Sequence, residues 1–126
     1  MIRFLTLFFA TLFLLPSIGV AEDDLNVIWD QLLKKHVIKG LVDYQSFKND
    51  EKTLDEYLHR VEQVNLKEYG RNQRLALYIN VYNACTVKLI LENFDDGEPV
   101  SSIKDIGSFF SSPWSIEFCR VAGKDL

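Results

Sequence analysis

The sequence predicts an α+β fold that is mainly helical, with a buried central helix and a C-terminal β-hairpin. Between Gln73 and Phe94, apolar residues fall on every side of a 3.6-residue period, which is typical of a helix buried nearly all round. Two earlier segments carry apolar residues along one face only, and alternating residues near the C-terminus indicate a strand. About 105 residues follow an N-terminal apolar run, which suits one domain with one modest core.

The first 21 residues have the features of a secretory signal peptide. Arg3 precedes an apolar run over 4–15, Pro16 breaks it, and Gly19 and Ala21 are small residues at the −3 and −1 positions of a cleavage site. The run is shorter than the roughly 20 residues of a transmembrane span, so an uncleaved membrane anchor is the weaker alternative. We therefore expect residues 22–126 to form a periplasmic or secreted domain, with no other membrane contact.

Charge and histidine spacing argue against several classes of ligand. Removing Arg3 with the leader changes the formal net charge from −4 to −5, and the cations are not clustered, so we expect no nucleic-acid partner. His36 and His59 lack a metal-binding spacing, and the acidic turn at 95–98 is not an EF-hand loop. We expect neither a metal nor another cofactor.

Two helices are predicted before the central one. The first runs from a cap at residues 23–24 to a C-cap at Gly40, with His36 on its apolar face as a satisfied core residue. Residues 41–44 form an extended link. The second helix begins at residues 49–50, and its His59 points into solvent.

Turn residues predict the boundaries of the remaining elements. A connection over 65–70 leads into the central helix near Arg71, and a turn follows it over 95–99. Ser102 is placed to cap a short helix that ends at Gly107.

The C-terminal segment is predicted to begin a hairpin that it does not complete. An aromatic loop with Phe109, Phe110 and Trp114 covers the core, a strand starts at Ser115, and Gly123-Lys124 forms the hairpin tip, so that Leu126 begins the return strand. An unpaired strand exposes backbone donors and acceptors. We therefore expect a truncated copy of a larger domain, or a last strand completed by a partner or by self-association.

Three amide side chains stand out on the central helix. Asn80 and Asn83 are three residues apart, and Gln73 lies seven residues before Asn80 on the same stripe. A buried amide without a partner costs about 1–3 kcal/mol, so these groups should meet backbone, other polar side chains, water or a ligand. They are candidate polar or substrate-orienting residues, with pinning of the helix to neighbouring backbone as their main expected role.

Cys85 and Cys119 are the two cysteines. In an oxidising compartment they could form a disulfide, but both lie in apolar runs and two separate buried thiols are the favoured interpretation. Cys85 lies well inside the helix and about 140° around it from Asn80, among apolar residues that raise a thiol pKa. A nucleophilic role for Cys85 is therefore disfavoured, and no catalytic residue can be named.

The run LALYINVYNACT at residues 75–86 resembles the LAFWINAYNALT signature of the family called domain of unknown function 547. The resemblance extends to Val42-Asp43-Tyr44, to SSIKDIG over 101–107, to Trp114 and to GKDL over 123–126. Asn80 and Asn83 correspond to the two signature asparagines, whereas Gln73 stands where the family commonly has a glutamate. The resemblance implies the first half of a plan similar to papain-like and transglutaminase-like hydrolases.

Three functional hypotheses follow. The leading one is an exported, uncharacterised domain of this family, truncated and inactive as an enzyme by itself. In the second, which the resemblance implies, the chain is part of a cysteine-hydrolase-like enzyme that acts on amide bonds at the cell envelope. In the third, it is an interaction module whose last strand is completed by strand addition from a partner.

Overall fold

A computed structural model describes residues 22–107 and 119–125 of the chain. The fold is α+β and mainly helical, as predicted, and the bounds of the elements are α1 Glu22–His36, β1 Val37–Ile38, β2 Leu41–Val42, α2 Tyr44–Lys48, α3 Glu51–Glu62, α4 Arg71–Glu92, β3 Arg120–Val121 and β4 Lys124–Asp125, with 3₁₀ turns at Leu66–Glu68 and Ile103–Asp105. The predicted leader, the aromatic loop and the strand start at Ser115 lie outside the described residues.

The main core lies between α1, α3 and α4. Trp29 of α1 stacks on Tyr57 of α3, with ring centroids 5.5 Å apart. Apolar residues of all four helices and of β3 join the same cluster, because each helix turns one apolar stripe inward. The fully or almost fully buried members are Leu25, Leu32, Phe47, Leu54, Val61, Val81, Ala84, Leu91 and Val121.

The central helix α4 is buried on one side only, so the prediction of burial nearly all round is wrong. Val81 and Ala84 are 0 % exposed, whereas Leu75 is 60 % exposed and Ile79 and Tyr82 are each 53 % exposed. An all-round apolar pattern shows only that every side of α4 could be buried. In the structure, α2 and α3 pack against only part of the circumference of α4.

Gly40 does not cap α1, because the helix ends at His36 and a hairpin follows. Strands β1 and β2 pair antiparallel around Lys39 and Gly40, whose φ angles are +53° and +81°. Two successive positive φ angles are the signature of a type I′ hairpin turn. A helix C-cap also favours glycine at positive φ, so the sequence pattern alone is compatible with either structure.

Other predicted boundaries are confirmed. Asp50 is the N-cap residue of α3, α4 begins at Arg71, and His59 is exposed. Residues 95–98 close a tight turn through two backbone hydrogen bonds of 2.9 Å. Ser102 caps the short 3₁₀ turn by accepting a hydrogen bond from a backbone N–H two residues later.

The last strand is paired within the chain, contrary to the sequence prediction. β3 pairs antiparallel with β4, and the turn between them is Ala122-Gly123, one residue earlier than predicted. The Ala122 N–H donates a hydrogen bond of 3.2 Å to the Val61 carbonyl, which attaches this hairpin to the end of α3. The return strand therefore begins at Lys124 rather than Leu126.

Candidate functional site

The structure separates Gln73 from the two asparagines. Its Oε1 accepts a hydrogen bond of 2.6 Å from the Gly70 N–H at the start of α4, and its side chain is exposed. This contact satisfies one of the backbone donors left open at a helix N-terminus. Gln73 therefore acts as a helix cap at the start of α4.

Asn80 and Asn83 lie beside one cavity between α1, β2, α2 and α4. Asn80 is half-buried and Asn83 is exposed. Contrary to the prediction, neither amide lies in the core. The cavity has a volume of about 240 Å³, and we call it the amide cavity. Its lining residues are Trp29, Leu33, Val42, Tyr44, Phe47, Asn80, Asn83, Thr86 and Val87.

A short N-capped helix brings Tyr44 and Phe47 to this cavity. Asp43 follows β2 and caps α2, since its Oδ1 accepts a hydrogen bond of 2.9 Å from the Ser46 N–H. The cap turns the chain sharply, so that Phe47 becomes fully buried and Tyr44 half-buried. The sequence prediction of an extended link over 41–44 missed α2, although Asp43 is itself a common N-cap residue.

Several polar groups at the amide cavity have no hydrogen-bond partner among the described residues. Within residues 22–107 and 119–125, no hydrogen bond occupies the side-chain amides of Asn80 and Asn83 or the hydroxyl of Tyr44. No described buried side-chain polar atom lacks a partner, so these groups are reached by solvent. The Thr86 hydroxyl instead donates to the Tyr82 carbonyl at 2.9 Å.

Among the residues that the structure describes, none that lines the amide cavity is acidic or basic, so these residues bring no formal charge to it at neutral pH. Burial raises the pKa of the Tyr44 hydroxyl above its ordinary value, so Tyr44 stays neutral and keeps its proton for hydrogen bonding. An ion that entered would lose hydration without gaining a counter-charge, which favours an uncharged ligand.

A second polar cluster surrounds His36 behind the cavity wall. His36 is 1 % exposed, and its two ring nitrogens lie 2.6 Å from Ser46 Oγ and 2.7 Å from Asp50 Oδ2. Lys35 also bonds Asp50, and the hydrogen bonds from Lys35 and His36 hold the pKa of Asp50 below its usual range. The prediction that His36 is a satisfied core residue is confirmed.

This serine, histidine and aspartate differ from a hydrolase triad in their surroundings. The His36 ring stacks on Phe47 at 4.5 Å, and Ser46 is not among the residues that line the amide cavity. A nucleophile needs a place for the reacting carbonyl and donors for its oxyanion. The contacts of this cluster instead tie the end of α1 to α2 and to the start of α3.

An ion-pair cluster joins α3 to α4 through Lys88. Its Nζ lies 2.9 Å from Glu51, 2.6 Å from Asp55 and 3.4 Å from Glu92, and its side chain is only 15 % exposed. Burial alone lowers the pKa of Lys88, but the hydrogen bonds that Lys88 donates to Asp55 and Glu51 outweigh burial and raise that pKa above its ordinary value. Lys88 is therefore a structural cation.

Cys85 and Cys119 form a disulfide in the structure, so the interpretation as two separate thiols is wrong. Their Cα atoms are 6.0 Å apart, within the usual range for a disulfide. The bond joins α4 to the segment that enters β3, two parts of the chain separated by 34 residues. Neither cysteine is a free thiol, so neither supplies a thiolate nucleophile in this state.

The described part of the chain offers neither a metal-binding cluster nor a membrane-spanning helix. Among those residues, no group of three or more His, Cys, Asp and Glu side chains could hold a metal ion. None of the helices described there is long and apolar enough to cross a membrane.

Comparison with known families finds one match. Residues 66–125 match the family model described as "Protein of unknown function, DUF547". The match covers α4, both asparagines and the C-terminal hairpin, but it begins after α1, α2 and α3 and so leaves out the Val42-Asp43-Tyr44 segment. No curated protein and no solved structure shows significant similarity to the chain.

Proposed function

We propose that the chain, whose residues 66–125 match the DUF547 family model, is an exported domain of that family that binds a small uncharged amide in the amide cavity. The proposal is one of binding and includes no thiol chemistry, because both cysteines are joined in a disulfide.

The proposal rests on Asn80 and Asn83, two side-chain amides that line the same cavity and have no hydrogen-bond partner among the described residues. A carboxamide has two N–H donors and a carbonyl acceptor, so Asn80 and Asn83 can pair with both the C=O and the N–H of a ligand amide. Tyr44 adds a neutral hydroxyl, and Trp29 and Phe47 supply apolar walls. A few polar groups on a mainly apolar cavity are typical of small-molecule sites.

The size of the cavity supports a compact ligand. Its volume of about 240 Å³ lies below the roughly 300 Å³ at which pockets for drug-sized ligands begin. A secondary amide with a methyl group on each side, as in a peptide bond or an N-acetyl group, has the matching chemistry.

Two features support export. The first 21 residues have the pattern of a cleavable leader. Disulfides persist in the periplasm and outside the cell, where thiols are not kept reduced, and Cys85 and Cys119 form one.

Titration with N-methylacetamide, followed by NMR, tests the binding proposal. A ligand this small should bind with a Kd on the order of millimolar. Losing one hydrogen bond of about 1 kcal/mol weakens binding roughly fivefold, which is the effect expected for Asn80→Ala and for Asn83→Ala. Asn72→Ala is the matched control, because Asn72 is an exposed asparagine of the same helix that does not line the cavity.

Two ligand controls sharpen this test. Acetate should bind more weakly than N-methylacetamide, because the cavity offers no counter-charge, and N,N-dimethylacetamide should bind more weakly because it has no N–H donor. The proposal is wrong if the wild-type protein does not bind N-methylacetamide, or if Asn72→Ala weakens binding as much as Asn80→Ala does.

A further inference from the structure

The short helix α2 is held beside the amide cavity by contacts with its neighbours. It has five residues, and helices shorter than about 12 residues are marginal by themselves. It nonetheless places Tyr44 and Phe47 on the cavity wall. Its C-terminal end is tied to α4 and α3, because the Lys48 Nζ donates a hydrogen bond of 2.7 Å to the Leu91 carbonyl and lies 2.9 Å from Glu51.

His36 of α1 contacts the other end of α2. Its Nδ1 lies 2.6 Å from Ser46 Oγ, and its ring stacks on Phe47. Ser46 Oγ also lies 3.3 Å from the carbonyl of Asp43, the N-cap residue of α2. On the opposite side of the ring, Nε2 lies 2.7 Å from Asp50 Oδ2. A chain of hydrogen bonds therefore runs from the start of α3 through His36 to the first turn of α2.

The protonation state of His36 decides how many of these hydrogen bonds form together. The Asp43 carbonyl and the ionised Asp50 carboxylate can only accept, and the Ser46 hydroxyl has a single proton. When the ring is charged, Nε2–H donates to Asp50, Nδ1–H donates to Ser46, and Ser46 donates to Asp43. When the ring is neutral and still donates to Asp50, Nδ1 accepts the Ser46 proton and the bond to Asp43 is lost. The charged ring therefore makes one more bond than the neutral ring.

Three charged side chains of the described residues bond to this chain. Asp43 and Asp50 face it from the N-caps of α2 and α3, which pack against α1, whereas β1 has no charged residue. Lys35 pairs with Asp50 at 2.6 Å. The hydrogen bonds from Lys35 and His36 hold the pKa of Asp50 below its usual range, so Asp50 is an ionised acceptor at neutral pH.

We infer that His36 is a positioning residue of the amide cavity that acts through its proton. The charged ring fixes the first turn of α2, and with it Tyr44 and Phe47, in the arrangement that binds an amide. This inference rests on the proposed function and adds a pH dependence to it. The bond lost on deprotonation is long, at 3.3 Å, so the affinity for an amide should fall only about threefold as pH rises.

Titration with N-methylacetamide at about pH 5 and about pH 8, followed by NMR, tests this inference, because histidine changes charge in that range. The ligand is uncharged, and no described residue that lines the cavity is acidic or basic, so a change in Kd reports on groups outside the cavity. The Kd should be about threefold lower at the acidic value. Ser46→Ala keeps the backbone N–H that Asp43 caps but has no hydroxyl, so its Kd should be the same at both values.

Two control variants should keep the threefold ratio. Gln45→Ala changes an exposed residue of the same short helix, and His59→Gln removes the other histidine of the chain, which is exposed on α3. Urea unfolding at both pH values checks that every variant is folded under the conditions of the titration. A purely structural role for Ser46 would change the urea midpoint without changing the ratio of the two Kd values.

Different results would overturn different claims. If the wild-type protein binds N-methylacetamide equally at both pH values, or if Ser46→Ala keeps the threefold ratio, the inference is wrong and the proposed function stands. If His59→Gln abolishes the ratio, the inference is also wrong. If N-methylacetamide binds at neither pH, both claims are wrong. The ring nitrogen resonances of His36 should show two protonated nitrogens at about pH 5 and one at about pH 8, and a ring that keeps one state throughout would contradict the inference.

Discussion

Reduction of the disulfide between Cys85 and Cys119 should lower the free energy of unfolding by about 4 kcal/mol. The two cysteines are 34 residues apart in the sequence, so the bond closes a long loop in the unfolded chain. The loop-entropy relation gives about 12.6 cal/mol/K for a loop of that length, or about 3.8 kcal/mol at 25 °C. Because domains of this size are stable by only about 5–15 kcal/mol, the loss is a large fraction of the total.

Urea unfolding followed by tryptophan fluorescence measures this loss, since Trp29 is buried in the core and becomes exposed on unfolding. With a denaturant slope of about 1.5 kcal/mol/M, reductant should lower the urea midpoint by about 2.5 M. The double variant Cys85→Ala, Cys119→Ala is the control, because reductant should not change its midpoint. A wild-type midpoint that is the same with and without reductant would refute the claim that this bond constrains the chain.

Three other predictions concern charge and export. Lys88→Met should destabilise the fold by about 1 kcal/mol, measured by urea unfolding, because it removes the cation that the partly exposed carboxylates of Glu51 and Asp55 share, whereas Lys52→Met at an exposed position should have little effect. The pKa of Asp50 is lowered in the fold, so its contribution to stability is present above its ordinary pKa and is lost as pH falls through the folded pKa. Asp50→Asn should therefore make stability fall less steeply with acid, and an unchanged acid slope would count against the cluster around His36. Expression in a bacterial host should yield protein whose N-terminus, by mass spectrometry, is Glu22, and Ala21→Arg should block this cleavage.

The sequence predicts a helix correctly where the residue type at its start or along its length is common in only one kind of structure. Asp50 precedes an amphipathic run and occupies the N-cap position of α3, and the long apolar segment forms α4. The predicted C-cap at Gly40 is wrong because glycine at positive φ is common both in helix C-caps and in type I′ turns. Only the pairing of β1 with β2 distinguishes these two uses.

The candidate site depended on contacts that sequence spacing does not contain. Helical periodicity correctly places Asn80 and Asn83 on neighbouring parts of α4, but it does not reveal which elements pack opposite them. The expected backbone partners do not occur among the described residues, and Tyr44 of α2 shares the cavity instead. The disulfide likewise requires Cys85 and Cys119, which are 34 residues apart in the sequence, to lie close together in the fold. The apolar residues around each cysteine do not indicate that proximity.

The side-chain NH₂ resonances of Asn80 and Asn83 provide the most direct test of the amide cavity. Saturating N-methylacetamide should shift both resonance pairs, because each amide gains a hydrogen-bond partner. The side-chain NH₂ of Asn93 should stay in place, since it already donates to the Leu89 carbonyl at 2.8 Å and lies outside the cavity. If Asn80 and Asn83 shift no more than Asn93 does, the amide cavity does not bind amides.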